Sequence, residues 1–91
     1  MLEKNIQKNI LTFCKANSII CRKVDGSSHR GWPDLTVILT NGVVLFVELK
    51  TATGKLSKLQ EITHAQLRKN KANIYTIRSL DEFKDLVKTF T

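Results

Sequence analysis

The most constraining feature of the sequence is a pair of apolar segments that meet at a single turn. The segments DLTVILT (34–40) and VVLFVELK (43–50) are rich in β-branched and aliphatic residues, and Asn41-Gly42 stands between them. Asn-Gly between two such runs is the strongest short-range signal for a β-hairpin. The sequence therefore predicts an antiparallel pair of strands over residues 34–50.

The length of the turn decides which side chains of this hairpin face each other. A two-residue loop would set Asp34 opposite Leu49, so that Glu48 points to the other face. A three-residue loop that ends in a left-handed Gly42 would form a G1 bulge and set Asp34 directly across from Glu48. Only the bulged register sorts the apolar pairs onto one face and the charged residues onto the other, so we predict that register.

The rest of the chain alternates between helix and strand signals. The predicted elements are a helix over 2–16, a strand over 18–24, the two hairpin strands, a helix from about 58 to 70, a strand over 73–78 and a last helix with an apolar stripe from Leu80 to Phe90. Ser57 with Gln60, and Ser79 with Glu82, have the spacing of capping boxes. The order αβββαβα predicts an α/β or α+β fold with a mixed sheet, in a single domain over 1–91.

The charge of the chain points to a polyanionic partner. Lys and Arg total 15 against eight acids, which gives a net charge of +7. Six basic residues and one acid lie between Lys50 and Lys71. Such clustering favours a face that follows phosphates over a surface that only keeps the protein soluble.

Several other features bound the class of protein. The longest apolar run, Val43 to Val47, has the length of a strand, and the first ten residues include no continuous apolar segment, so we expect a cytoplasmic protein that does not enter a membrane. Cys14 and Cys21 lack metal-ligand spacing and are predicted to fill helix and strand positions in a reducing compartment. No small-molecule cofactor is expected.

The hairpin brings together a set of residues that suits metal chemistry. Glu48 and Lys50 are two residues apart on one strand and point to the same side, where Asp34 faces Glu48. Two carboxylates about 5 Å apart repel each other by roughly 3 kcal/mol at an effective dielectric of about 20. Lys50 offsets part of that repulsion, and Mg²⁺ or Mn²⁺ would offset the rest. Simpler alternatives are a strand start at Asp34 and a solvated Glu48–Lys50 ion pair.

The order of these residues resembles a known nuclease signature. Pro33-Asp34, followed after thirteen residues by Glu48-Leu49-Lys50, is similar to the PD-(D/E)XK pattern. The longer string RGWPDL…FVELK…LSKLQ resembles the VRR-NUC branch of that superfamily, the virus-type replication-repair nuclease domain. The resemblance implies a restriction-endonuclease-like αβββαβ core, with only the last helix outside it, and it fits a compact domain of the stand-alone phage or bacterial type.

The resemblance also implies a role for each residue of the hairpin site. Asp34 and Glu48 would bind Mg²⁺, for which Mn²⁺ would substitute, and the backbone carbonyl of Leu49 would be the third ligand. Lys50 would orient or deprotonate the attacking water and stabilise charge on the phosphorane. Glu3, the acid on the first helix, would reach a second metal ion through water.

Gln60 has two possible roles at the start of the following helix. The resemblance implies that it holds Lys50 or the attacking water in place. Its position three residues after Ser57 also allows its side chain to bond the backbone of the helix cap. Both roles are compatible with the sequence, and the resemblance favours the first.

The resemblance implies a metal-dependent, structure-selective DNA endonuclease that cuts branched DNA, such as four-way Holliday junctions, as a homodimer. A dimer also suits the size of the chain, because one small subunit offers little surface for holding a junction. The candidate DNA-binding residues are Ser28, His29 and Arg30 in one loop, and Lys55 and Lys58 around the start of the helix that begins at about residue 58. The alternatives are a non-catalytic nucleic-acid-binding module and an accessory subunit that binds a partner through the last helix.

Three further residues are predicted to lie outside the catalytic set. His29 and His64 lack metal-like spacing, so His29 is predicted to lie in a loop near phosphate and His64 on a helix surface. Trp32 is predicted to pack beside the site, with base stacking as the alternative. The two mutually repelling carboxylates favour an enzyme over a binding module, because a module gains nothing from keeping them.

Overall fold

A computed structural model describes residues 2–25 and 29–91. The helices and strands of this part of the chain follow the predicted order. Their bounds are α1 Glu3–Ala16, β1 Ile20–Lys23, β2 Leu35–Ile38, β3 Val44–Leu49, α2 Lys58–Lys69, β4 Asn73–Ile77 and α3 Leu80–Phe90. The predicted fold class, a mixed sheet flanked by helices, is confirmed. Within the described residues, no helix has the length and apolar character needed to cross a membrane.

The first strand is shorter than predicted. Ser18 has a left-handed φ of +58°, and the backbone nitrogen of Ile19 donates a hydrogen bond of 2.9 Å to the Cys14 carbonyl oxygen. These two residues therefore close the end of α1, and extended structure begins only at Ile20. Cys14 and Cys21 are both free and buried, as the sequence predicts.

The four strands form one sheet in the order β1-β2-β3-β4. The β1–β2 and β2–β3 pairs are antiparallel, and β4 runs parallel to β3. A parallel neighbour requires a crossover connection, which α2 provides between β3 and β4. The ends of β3 and β4 that lead into α2 and α3 therefore lie at the same edge of the sheet.

The β2–β3 hairpin has the predicted bulged register. Leu35 pairs with Val47, and the backbone nitrogen of Leu39 donates a hydrogen bond of 2.9 Å to the Val43 carbonyl oxygen. Gly42 has φ +87°, a left-handed conformation that costs glycine little. Turn chemistry and the apolar pattern thus select the same register.

One face of the sheet holds the hydrophobic core. Alternate residues of β3 point to this face and are buried against α1 and α3. The packed side chains include Ile6 and Ile10 of α1, Leu45, Val47 and Leu49 of β3, and Phe83 of α3. The helix α2 lies on the opposite face, where it packs against β4 and where its His64 contacts Glu48 of β3.

Both helices that follow a strand are capped by serine. Ser57 forms the predicted capping box: its Oγ accepts from the Gln60 backbone nitrogen at 3.1 Å, and Gln60 Oε1 accepts from the Ser57 nitrogen at 2.9 Å. Ser79 Oγ accepts from the Glu82 nitrogen at 3.1 Å, but the Glu82 carboxylate accepts from the backbone nitrogen of Arg78. In the second predicted capping box, the side chain of Glu82 therefore bonds the residue before the cap, Arg78, and not the cap residue Ser79 itself.

Candidate active site

The open end of the hairpin places Asp34 beside Glu48. Because Leu35 pairs with Val47, the next residues outward on the two strands, Asp34 and Glu48, are opposite each other. Asp34 Oδ2 accepts a hydrogen bond of 2.7 Å from the backbone nitrogen of Leu49. This bond holds the Asp34 carboxylate against the end of β3, in the position that the bulged register predicts.

Gly31 determines how closely the segment before Asp34 approaches α2. Its φ is +84°, and a Cβ atom at this position would lie 2.8 Å from the Leu59 carbonyl oxygen and 2.9 Å from Thr63 Oγ1. Both separations are shorter than real Cβ atoms adopt, so a glycine is needed for conformation and for space. The chain can then pass directly over the first turns of α2 on its way into β2.

Trp32 packs against the sheet next to the carboxylates. Its ring meets the ring of Phe46 edge-on, with the ring centroids 5.9 Å apart and an interplanar angle of 81°. Phe46 lies on β3 two residues before Glu48 and therefore on the same face. Trp32 has the packing contact that the sequence predicts, while 36% of its surface stays exposed.

Glu48 is an ionisable residue inside the protein. Its exposed fraction is only 1%. Burial raises the pKa of Glu48 to about 9, and the hydrogen bond with Asp34 and the charge of that residue act in the same direction. The positive charge of Lys50 lowers the pKa of Glu48 in part. Glu48 therefore carries a proton at neutral pH when no cation is present.

The prediction that His64 lies on a helix surface is wrong. His64 is fully buried, and its Nε2 lies 3.2 Å from Glu48 Oε1. Burial lowers the pKa of His64, and the charge of Arg68 lowers it further. The pair is therefore a hydrogen bond between neutral groups. A signal was present in the sequence, since His64 is four residues after Gln60 and thus on the same face of the helix.

Lys50 and Glu3 belong to the same electrostatic cluster. Lys50 is half-buried, and its charge lowers the pKa of both Glu48 and His64. Glu3 is exposed at the start of α1, and its charge is among the causes that raise the pKa of Glu48. The structure thus places Asp34, Glu48 and Lys50 at one end of the sheet, with Glu3 near enough for its charge to act on Glu48, and their roles stay predictions.

Gln60 is placed at the first turn of α2. Its side-chain oxygen is bound to the Ser57 backbone, which is the capping role that the sequence allows. The side-chain amide nitrogen of Gln60 is the part that remains to contact Lys50 or a water. Its role in supporting catalysis stays a prediction.

The loop between Lys50 and α2 is tied to the end of β4. Arg78 Nη1 donates hydrogen bonds to the carbonyl oxygens of Thr51, at 2.7 Å, and of Gly54, at 2.6 Å. The backbone nitrogen of Lys50 also donates to the Ile77 carbonyl oxygen at 3.1 Å. These bonds connect the segment after the candidate catalytic lysine to the neighbouring parallel strand.

The candidate DNA contacts are surface residues of the loop before Gly31 and of the segment that leads into α2. His29 and Arg30 are exposed just before Gly31, and Lys55 and Lys58 are exposed at the start of α2. Ser28 lies outside the described residues. The four described residues are close in sequence to elements of the site, and their contact with DNA stays a prediction.

The donor set at the hairpin end fits a hard divalent cation. Across residues 2–25 and 29–91, no three His, Cys, Asp or Glu side chains are arranged to hold a metal ion together. A cation here would therefore take two carboxylates and main-chain oxygen, which is the predicted set of Asp34, Glu48 and the Leu49 carbonyl. A cation would displace the proton that Glu48 otherwise holds, so that both carboxylates would be available to it.

Comparison with known proteins identifies the family. The family model of the VRR-NUC domain matches residues 2–81. This chain belongs to the VRR-NUC family. A solved structure described as a VRR_NUC domain is also similar, with a TM-score of 0.85 and 31% sequence identity over 98% of this chain and 97% of that chain. No match was found among the curated proteins.

Membership of the VRR-NUC family confirms the resemblance that the sequence motifs suggest. It makes this chain a nuclease domain, with DNA as its substrate. The similar solved structure extends over the whole αβββαβα arrangement, so the fold is that of a VRR-NUC domain.

Proposed function

We propose that this VRR-NUC domain is a metal-dependent endonuclease that hydrolyses phosphodiester bonds in branched DNA, such as four-way junctions. The observation that carries the proposal is the register of the hairpin, which sets the carboxyl groups of Asp34 and Glu48 opposite each other at its open end. Burying one carboxyl group against another costs free energy. A cation bound by both groups offsets that cost, which favours a catalytic role over a structural one.

Asp34, Glu48 and the Leu49 backbone carbonyl would hold Mg²⁺. All three donors are hard oxygen atoms, so Mn²⁺ would substitute for Mg²⁺. When bound, the ion would lower the pKa of its water and neutralise charge on the phosphate oxygens. Glu3 would contribute from α1 through a water molecule, because its charge already acts on Glu48.

Lys50 would orient or deprotonate the attacking water, and its ammonium group would stabilise the charge that develops on the phosphorane. It lies two residues after Glu48, which places both side chains on the same side of β3. Gln60 would hold Lys50 or the water through its amide nitrogen, since its oxygen is bound to the Ser57 backbone. Gln60 belongs to α2, and Lys50 directly follows β3 with its backbone nitrogen bonded to the Ile77 carbonyl oxygen, which supports a fixed geometry.

DNA would approach the site across the loop before Gly31 and the segment that leads into α2. His29 and Arg30 stand on one side of the Gly31 turn, and Lys55 and Lys58 stand at the start of α2. Ser28 would join the first group. Cationic side chains beside a metal site would guide the phosphate backbone to it, and such binding weakens as salt rises.

A branched substrate would require two copies of the domain. The described chain has principal extents of only 33 × 30 × 23 Å, which is small against the arms of a four-way junction. A homodimer would present two sites related by two-fold symmetry, one for each of two strands. We therefore propose a homodimer that acts in the cytoplasm.

A cleavage assay tests the proposal. Labelled four-way junction and linear duplex are incubated with the protein and Mg²⁺, Mn²⁺ or EDTA. We expect cleavage of the junction with either metal, none with EDTA, and a loss of at least about 100-fold in Lys50→Ala. Lys88→Ala is the matched control, because it removes the same charge from an exposed position on α3, against the other face of the sheet.

Four results would contradict the proposal in different ways. Salt-sensitive binding without product would make the domain a nucleic-acid-binding module. Cleavage in EDTA would exclude the metal-dependent mechanism. Equal losses in Lys50→Ala and Lys88→Ala would show that Lys50 acts only through its contribution to net charge. Equal cleavage of junction and duplex would retain the nuclease and remove the preference for branched DNA.

A further inference from the structure

His64 is a buried polar residue that the proposed reaction does not use. Its Nε2 contacts Glu48 Oε1, and its Nδ1 is also buried and has no hydrogen-bond partner among the described residues. Leaving a buried polar atom unpaired costs free energy. An apolar side chain of similar size would avoid that cost, so stability alone does not account for a histidine here.

We propose that His64 is a positioning residue, which orients the Glu48 carboxylate for a metal ion by occupying one of its two oxygens. The inference rests on the proposed metal-dependent function. When Glu48 is ionised it only accepts hydrogen bonds, so the Nε2 of His64 must be the donor. That donor holds Oε1 and leaves the second oxygen of Glu48 available to the cation.

The unpaired Nδ1 follows from the same arrangement. A neutral imidazole carries one hydrogen, and donation from Nε2 leaves Nδ1 as a bare acceptor. An unpaired acceptor is tolerated more often in protein interiors than an unpaired N–H group. The Nε2–H tautomer is therefore the form that fits both the contact with Glu48 and the surroundings of Nδ1.

The helix gives His64 a fixed position from which to act. The Ser57 capping box holds the first turn of α2, and Gly31 packs closely against the backbone of that turn. His64 follows one turn later, on the side of the helix that faces β3. Groups that hydrogen-bond to a metal ligand in this way set the orientation of the ligand and its affinity for the metal.

Two substitutions of similar size separate positioning from packing. The side-chain nitrogen of glutamine lies as many bonds from Cα as Nε2 does, whereas that of asparagine corresponds to Nδ1. His64→Gln can therefore restore the donor to Glu48, and His64→Asn cannot. Both variants lose the imidazole ring, so a packing role would affect them alike.

The experiment measures Mn²⁺ binding without DNA, by electron paramagnetic resonance of the free ion, together with Tm in EDTA. We expect His64→Asn to weaken Mn²⁺ binding by roughly 10-fold or more, and His64→Gln to stay within about 3-fold of wild type. Equal Mn²⁺ affinity in wild type and His64→Asn, with a lower Tm, would overturn the inference. If the wild-type protein binds no Mn²⁺, the proposed metal dependence fails and the inference fails with it.

A second measurement uses the wild-type protein and covers the case in which the variants do not fold. Long-range ¹H–¹⁵N spectra distinguish the two neutral tautomers of a histidine. With saturating Mg²⁺, we expect the Nε2–H tautomer for His64. The Nδ1–H tautomer under these conditions would overturn the inference, because His64 would then have no hydrogen to donate to Glu48.

Discussion

Near its Glu48 end, β3 is buried on both faces, but by opposite kinds of residue. On one face, Leu45, Val47 and Leu49 are buried among the apolar side chains of α1 and α3. On the other face, Glu48 is 1% exposed and lies against His64 of α2. Neighbouring residues of a single strand therefore meet a hydrocarbon core on one side and a pair of ionisable groups on the other.

The two faces of β3 contribute differently to the stability of the fold and to its candidate site. Burying an aliphatic side chain stabilises the fold by about 1.5–3 kcal/mol. Burying the Glu48 carboxyl group costs free energy, and this cost appears as the raised pKa of that residue. The apolar face holds the domain together, while the polar face lowers its stability and assembles the candidate site. Such local costs are expected where residues serve chemistry.

The largest loss of stability is expected from the apolar face. Leu45 is fully buried, so Leu45→Ala should lower the free energy of unfolding by about 2–5 kcal/mol through lost burial and the cavity that remains. Urea denaturation measures the change. Val44→Ala is the control on the same strand, because Val44 is 36% exposed and should lose less than about 1 kcal/mol. Similar losses in the two variants would contradict the assignment of the core to this face.

The next largest effect is expected at Gly31, where the polar face meets α2. Gly31→Ala should cost about 2–4 kcal/mol, because the new Cβ combines left-handed strain with the close contact at the Leu59 carbonyl oxygen. Gly42→Ala is the matched control: its φ is +87°, and no atom of the described residues lies within 4 Å of the new Cβ. Urea denaturation should place Gly42→Ala at about 1–2 kcal/mol. Equal losses of stability in the two variants would show that Gly31 does not pack closely against α2.

The part of the site that lies on the hairpin could be predicted from the sequence. Asn41-Gly42 sets the turn, and the alternation of apolar residues in the two strands leaves one register that buries them together. Asp34 and Glu48 then face each other as a direct consequence. This information is local, because it depends on a turn and on the residues that flank it.

The part of the site that depends on α2 could not be predicted in the same way. Leu59 and Ile62 would be expected to mark the buried side of this helix, but they are 43% and 47% exposed. His64 is buried instead, through a contact with a residue sixteen positions earlier in the chain. Helical periodicity assumes that apolar residues face the interior, and here the interior surface carries a carboxyl group.

The stability of the protein should depend on pH because Glu48 is buried on the polar face. Glu48 has a pKa of about 9 in the folded protein, against an ordinary value of 4.5. Between these two pH values, the folded state keeps a proton on Glu48 that the unfolded state has lost. Stability should therefore fall as pH rises, by up to about 1.4 kcal/mol per pH unit. His64, whose pKa is lowered from 6.5, acts in the opposite direction below that pH. Urea denaturation in EDTA from about pH 7 to 9 follows Glu48 above the titration of His64, and a variant without this carboxyl group accounts for the shifted thiols of Cys14 and Cys21.

Glu48→Gln is the control for this pH dependence. The amide is a neutral substitute for the protonated carboxyl group, so the variant should be at least as stable as wild type in EDTA at pH 7 and should lose the decline up to pH 9. It should also lose any stabilisation by Mg²⁺. If the variant is clearly less stable and keeps the same slope, Glu48 is instead a structural partner whose charge supports the fold.

The smallest of these effects is expected at Arg78, which ties the loop after Lys50 to the sheet. One guanidinium nitrogen donates to the carbonyl oxygens of both Thr51 and Gly54. Lysine keeps the charge but cannot reproduce this fixed geometry, so Arg78→Lys should cost about 1 kcal/mol in urea denaturation. Arg22→Lys is the control, because Arg22 Nη1 bonds the carbonyl of its own neighbour, Cys21, on an edge strand.

Arg78→Lys should also separate stability from catalysis. A loss of about 1 kcal/mol leaves the protein folded, so it should not by itself reduce the cleavage of a four-way junction. If the bonds of Arg78 to the loop hold Lys50 beside Glu48, cleavage should nevertheless fall. Full cleavage activity with reduced stability would show that Lys50 is positioned by β3 alone. The bond of 3.1 Å from its backbone nitrogen to Ile77 would then be sufficient to fix its place on the polar face.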